Sequence, residues 1–254
     1  MKTVEESVQI IRLAVKDFPE TVVILGSGWN KILVGATVMS EISYADLFGV
    51  RTSVPGHEGK LVIARTGNKR VAFMAGRFHT YEGYTSEEVT RPIQVFARVG
   101  TKKLIVTAAA GALNEKYAVG DFVVLSDMIT AFCPSPLTGT QFVDLSQAFD
   151  PLMSSQALRV CNQKMIAVHE GRYVFVRGPH FETPADKMLY RNIGGDVIGM
   201  STVPETIMAR SLQIRVLGIS FVTNLAFVKH AHADVLKAAE EGSRNMVHVL
   251  KGLI

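Results

Sequence analysis

Short, wholly apolar, β-branched runs alternate with stretches of helical periodicity, and this alternation limits the fold more than any other feature of the chain. Val4, Val8, Ile11 and Val15 recur at helical spacing, and Thr21-Val22-Val23-Ile24-Leu25 then forms a run that stops at Gly26-Ser27-Gly28. Leu61 to Arg65 and Val71 to Met74 flank Gly67-Asn68 as a hairpin with an irregular turn. Thr85 and Glu88 have the capping-box spacing that opens a helix to about Arg98. Leu104-Ile105-Val106-Thr107 reads as a buried strand ending in Ala108-Ala109-Ala110-Gly111, and Phe122 to Leu125 as another. A helix from Pro151 to about Val168, a strand Tyr173 to Val176 and a Thr183-Pro184 helix start follow. Thr202 and Glu205 repeat the capping-box spacing, Arg215 to Val222 is a strand, and a last helix begins near Ala233. Apolar strands interleaved with helices predict an α/β fold around a mixed, largely parallel sheet covered on both faces. Such sheets bind ligands at the carboxyl ends of their strands, so chemistry should collect there.

At 254 residues, with no repeat or linker-like shift in composition, one domain over residues 1–254 is the simplest organisation. Hydrophobic residues at 48% and charged residues at 20% exclude a disordered chain, a collagen and a coiled coil. The net charge of +4 comes from scattered Lys and Arg, without the clustering a nucleic-acid surface needs. Two distant cysteines, Cys133 and Cys161, exclude a disulfide framework or a Cys-based zinc site and fit a reducing compartment. The N-terminus carries Glu5 and Glu6 where a signal peptide needs apolar residues, and the stretch Val216 to Val228 is too short to span a membrane. A cytoplasmic protein is expected.

The unusual residues do fall at strand ends. Ser27 sits between two glycines, an arrangement that serves a tight turn as well as an anion site. Gly76-Arg77-Phe78-His79-Thr80-Tyr81-Glu82-Gly83 packs an arginine, a histidine, a tyrosine and an acid just after a strand, and the Arg fork suits phosphate oxygens. Pro55-Gly56-His57-Glu58-Gly59 is a second glycine-flanked histidine, equally readable as a turn. Around Ala109 the chain offers only bare backbone N–H groups, suited to an anion or to close packing. Ser201 adds a hydroxyl at a helix start. Phe181-Glu182 before a helix and Thr223-Asn224 at the end of a buried strand suggest a planar polar ligand: an aromatic face, a carboxylate acceptor and an amide that both donates and accepts. His230 and His232 lie just beyond, and residue chemistry alone does not choose between them.

Taken together these segments resemble the homotrimeric purine nucleoside phosphorylases. The likeness runs collinearly from about Val22 to Leu236 and includes Gly26-Ser27-Gly28, Pro55 to Gly59, Gly76 to Tyr84, Gly178 to Thr183, Gly199-Met200-Ser201-Thr202-Val203-Pro204-Glu205 and Thr223-Asn224. The resemblance implies a single α/β domain whose mixed sheet includes a distorted β-barrel surrounded by helices, assembled as a homotrimer. It implies phosphorolysis of purine ribo- and deoxyribonucleosides to free base and (deoxy)ribose 1-phosphate, a purine-salvage reaction. By position, Ser27, His57, Arg77, His79, Ala109 and Ser201 would hold phosphate. Tyr81, Met200 and His232 would surround the ribose, with Phe142 lent by a neighbouring subunit. Phe181, Glu182, Ile198, Thr223 and Asn224 would hold the base, and Asn224, Glu182 and His79 would carry the catalysis. No cofactor or metal is implied, and inorganic phosphate is a co-substrate. Asn224 with Glu182 follows the 6-oxopurine pattern of inosine and guanosine, whereas methylthioadenosine phosphorylases carry Asp at that position. Ala108 stands where the family usually has Asn, His180 where Ser, Thr or Asn is usual, and Ala131 to Phe142 is shorter than in mammalian-type members. A xanthosine-preferring phosphorylase, because of His180, and a methylthioadenosine-type phosphorylase are the near alternatives; a ribosyl hydrolase and a non-catalytic nucleoside-binding protein are the others.

Overall fold

The computed structural model describes residues 1–54, 57–229 and 231–254, so Pro55, Gly56 and His230 lie outside the described residues. Among the described residues nine strands form one mixed sheet: β1 Thr21–Leu25, β2 Thr37–Ser43, β3 Lys60–Thr66, β4 Lys69–Ala75, β5 Lys103–Ala112, β6 Phe122–Ile129, β7 Val168–Phe175, β8 Val197–Gly199 and β9 Arg215–Leu225. The helices are α1 Val4–Ala14, α2 Tyr44–Phe48, α3 Ser86–Arg98, α4 Pro151–Gln163, α5 Pro184–Asn192, α6 Val203–Ser211 and α7 His232–Leu253. The strand order is β2-β3-β4-β1-β5-β8-β7-β6-β9, and β9 also pairs with β5. The last five strands therefore close into a mixed barrel ringed by helices, while β1 to β4 extend from it as an open wing. Closure pairs the outer strands of that half with each other and leaves open only the stretch of β5 between its pairings with β1 and β8.

The local signals account for much of this. Thr3, Thr85 and Thr183 cap α1, α3 and α5 with reciprocal capping boxes to Glu6, Glu88 and Asp186. Strands β1, β4 and β5 are almost wholly buried, and β6 is buried over Phe122 to Leu125, as apolar runs covered on both faces must be. Two large core clusters result, one holding Val22, Ile24, Val106 and Phe175 and the other Val23, Leu25, Ile105 and Phe221, with a smaller third around Val174 and Ile198. Cys133 and Cys161 are both free thiols. Among the described residues no helix is long and apolar enough to cross a membrane.

The structure corrects several element boundaries. Ala108 to Ala112 continue β5 instead of ending it, because β9 pairs alongside them throughout. Helix α4 stops at Gln163 and β7 begins at Val168, not Tyr173. The Gly67-Asn68 turn is a tight two-residue one, with Thr66 opposite Lys69 and Gly67 at φ +58°. Strand β2, largely exposed and without an apolar run, and the five-residue α2 carry no periodicity strong enough to read from sequence.

On α7, Gly242 lies directly against the Phe221 ring of β9, where a Cβ would collide with the ring carbons. Gly242→Val should cost roughly 1–3 kcal/mol by overpacking. The expected result is a lower denaturation midpoint at unchanged slope; an unaltered midpoint would mean this contact yields freely.

Candidate active site

One stretch of β5 creates the cavity. Along the edge of β5 opposite β9, β1 pairs as far as Val106 and β8 pairs only from Gly111. The intervening edge has no strand beside it, and the ends of β1, β4, β8 and β9 converge there. Every residue expected at the site except Phe142 lines this one cavity: Ser27, His57, Arg77, His79, Tyr81, Ala109, Phe181, Glu182, Ile198, Met200, Ser201, Thr223, Asn224 and His232. Phe142 is 94% exposed and lies outside it, in the long segment between β6 and α4. His180 is exposed and does not line the cavity, whereas Ala108 does.

At one end, backbone and side chains are built for an anion. Gly26 N–H donates to Thr107 Oγ1 at 3.0 Å and the Thr107 hydroxyl donates to Ile24 O at 2.8 Å, tying β1 to β5 just before Ser27. A Cβ on Gly26 would stand 2.7 Å from Thr107 O, so only glycine allows that approach. Gly76, at φ +104°, turns the chain out of β4 into Arg77, and its carbonyl accepts from Tyr44 Oη at 2.7 Å. The Arg77 guanidinium is buried, donating from Nη1 to Glu205 Oε1 at 3.1 Å and from Nη2 to Thr107 O. With five N–H donors, Arg keeps three for a ligand.

His57, His79 and Tyr81 stack in a ladder, with ring centroids 5.3 Å and 4.5 Å apart. Burial pushes His57 down to about 3, helped by the neighbouring His79 and Arg77. Burial also lowers His79, against the pull of its hydrogen bond to Glu82. Burial works against the Glu82 carboxylate as well, but hydrogen bonds from His79, from Ser53 N–H at 2.9 Å and from the Ser53 hydroxyl at 2.9 Å outweigh it, holding Glu82 at about 2. Glu82 Oε1 sits 3.0 Å from His79 Nδ1. The pair is therefore a carboxylate holding a neutral imidazole through Nδ1–H, which leaves Nε2 as an acceptor. Burial raises Tyr81, so its hydroxyl keeps its proton.

The other end is shaped by a bulge. Ala110 pairs with Val222 and Gly111 with Asn224, so Thr223 is the extra residue on β9. A bulge re-aims the side chains beside it, and Thr223 Oγ1 lies 3.0 Å from Asn224 Oδ1. The Asn224 amide lies close against β5, where a Cβ on Gly111 would be 2.9 Å from Nδ2. Phe181 and Glu182 precede the Thr183 cap of α5, and the half-buried Glu182 carboxylate makes no hydrogen bond to another described residue. His232 is the first residue of α7.

Two contributors escaped the sequence reading. Glu205 looks like a capping acid, yet Thr202 makes no side-chain cap and Glu205 pairs with Arg77 instead. Thr107 looks like an ordinary strand residue and proves to anchor both Gly26 and Arg77. Neither has a local signal, because each partner is distant in sequence. Among the described residues no group of three or more His, Cys, Asp or Glu side chains is placed to hold a metal ion.

Residues 20–254 match the model of the phosphorylase superfamily. Purine nucleoside phosphorylase 1 of Geobacillus stearothermophilus is 36% identical over 99% of this chain and 96% of its own length. The chain belongs to the purine nucleoside phosphorylases of that superfamily. Rat purine nucleoside phosphorylase is 35% identical, over 95% of this chain and 90% of its own. Among solved structures, isoform 2 of the Schistosoma mansoni enzyme in complex with cytosine and ribose-1-phosphate superposes with a TM-score of 0.92 at 32% identity, covering 99% of this chain and 95% of that one. The S. mansoni enzyme in complex with inosine gives 0.90 at 35%, covering 98% and 94%.

Buried, neutral His57 makes this fold sensitive to acid. From its ordinary 6.5 down to about 3, the unfolded chain takes up a proton that the folded one refuses, so stability is full above pH 6.5 and falls as pH drops. The thermal midpoint should decline between pH 6.5 and 4.5, and His57→Asn should flatten that decline. Superimposable curves for the two proteins would show that His57 is not its source.

Proposed function

We propose that this protein cleaves purine nucleosides with inorganic phosphate, releasing the free base and ribose 1-phosphate, with 6-oxopurine nucleosides such as inosine and guanosine as preferred substrates and their deoxy forms accepted. The observation that carries this reading is the union, in one cavity, of an anion end around Arg77 and His79 with a planar-ligand end around Phe181, Glu182 and Asn224. The ribose would span the gap between them, against Tyr81, Met200 and His232.

In the reaction the bond from C1′ to the purine nitrogen breaks, its electron pair passes into the base, and a phosphate oxygen bonds to C1′. The ribose develops oxocarbenium character, so the catalyst needs an anion beside C1′ and a hydrogen-bond donor at the base. Phosphate supplies both nucleophile and counter-charge. The free N–H groups of Arg77, the hydroxyls of Ser27 and Ser201 and the open β5 edge at Ala109 would hold it, with His57 alongside. His79, fixed through Nδ1 by Glu82, would accept a phosphate hydroxyl at Nε2. Asn224 would donate to N7 as that nitrogen gains electron density, and Glu182 would accept from N1–H. An amide at 224 both donates and accepts, which suits a 6-oxopurine; a carboxylate there would suit a protonated 6-aminopurine. In a homotrimer, Phe142 would reach the ribose of a neighbouring subunit, which fits its exposure on the single chain.

Base release from inosine or guanosine should require phosphate and yield ribose 1-phosphate in equal amount. Asn224→Ala should lower turnover on inosine by about 10²–10³, the cost of losing one preorganised donor, ~3–4 kcal/mol. Chromatography of the bases checks both. Near-normal turnover would remove Asn224 from the mechanism, and equal efficiency on adenosine would overturn the 6-oxopurine assignment.

A further inference from the structure

Helix α6 departs from the capping pattern that α1, α3 and α5 share. Thr3, Thr85 and Thr183 each exchange two hydrogen bonds with the acid three residues on. Thr202 has the same spacing to Glu205, yet its backbone stands at φ +74°, ψ −50° and its side chain makes no cap. Positive φ is strained for a β-branched residue, and such strain persists only where the surroundings enforce it. Its effect here is to free the Glu205 carboxylate from the helix end. Oε1 accepts from Arg77 Nη1 at 3.1 Å, and the side chains are only 3% and 2% exposed. Oε2 is buried without a hydrogen-bond partner among the described residues.

A buried ion pair with an unsatisfied oxygen is a poor device for stability, since apolar residues of like volume serve as well or better. It is a good device for holding a guanidinium in one orientation. Arg77 faces Glu205 from α6, His57 from the segment before β3, and His79 and Glu82 from the turn after β4. With both histidines neutral, Glu205 is the carboxylate in direct contact with the cation of this end.

We propose that Glu205 is the positioning residue of the phosphate end: it fixes the Arg77 fork toward the cavity and offsets its charge, so phosphate is held by oriented donors and not by an uncompensated cation. The proposal rests on the phosphorolysis reading. A carboxylate behind the arginine weakens its hold on the incoming anion and on the phosphorylated product alike, which favours release.

Two variants test it, each followed by initial rates against inorganic phosphate at saturating inosine, and by thermal shift against inorganic phosphate alone. Glu205→Gln keeps the acceptor and removes the charge, so half-saturating phosphate should fall about fivefold while KM for inosine stays within twofold. Glu205→Asp keeps the charge but withdraws it by one methylene, so half-saturating phosphate should rise at least threefold. Should Glu205→Gln need phosphate to fold, its thermal midpoint will respond to phosphate at lower concentration than wild type, the same prediction read another way. A carboxylate with a structural role alone would lower the thermal midpoint of both variants and leave both phosphate midpoints at the wild-type value, and that result overturns the proposal. A wild-type protein with no phosphate dependence in either assay would instead overturn the phosphorolysis reading on which it stands.

Discussion

The open edge of β5 is the constraint from which the cavity follows. Pairing with β9 is continuous from Lys103 to Ala112, yet on the other side β1 departs after Val106 and β8 arrives at Gly111. A buried backbone edge cannot stay unpaired without cost, so the groups between must be served by side chains or by a ligand. Arg77 takes the Thr107 carbonyl, and the Thr107 hydroxyl takes Gly26 N–H. What is left faces the cavity. Barrel closure and site formation are thus one event: β8 can join the barrel only by leaving a gap where β1 ends.

Electrostatics at the gap are economical. His57, His79 and Tyr81 stack in a ladder along the cavity wall, and the burial that lowers both histidines favours their neutral forms. Charge is confined to Arg77, Glu205 and Glu82, each held in a fixed geometry. An anion entering such a site meets oriented dipoles already in place, with little reorganisation left for the moment of reaction. Stability at acid pH is the corresponding loss, because the buried neutral histidines and the hydrogen-bonded Glu82 carboxylate resist protonation.

Much was legible in the residues themselves. The runs at β1, β3, β4 and β5 and the caps at Thr85 and Thr183 are local signals, carried by side-chain branching and by hydrogen bonds within one turn. The glycine-flanked clusters marked the strand ends where the cavity opens. Strand β2 was not legible, because its side chains are mostly exposed and only pairing with β3 makes it a strand. The end of β5 was misread because small residues satisfy a turn and a close-packed strand alike.

By itself the sequence determined the alternation of elements, the helix starts and the residue types gathered at the strand ends, since each depends on neighbours within a few positions. Tertiary structure alone decided that β5 to β9 close into a barrel, that Thr223 bulges out to re-aim Asn224, and that Glu205 leaves its helix cap for Arg77. Those choices join residues as far apart as Arg77 and Glu205, which local propensity cannot weigh. The capping spacing at Thr202 matches the one at Thr85; only the buried cation beside it makes the outcome different.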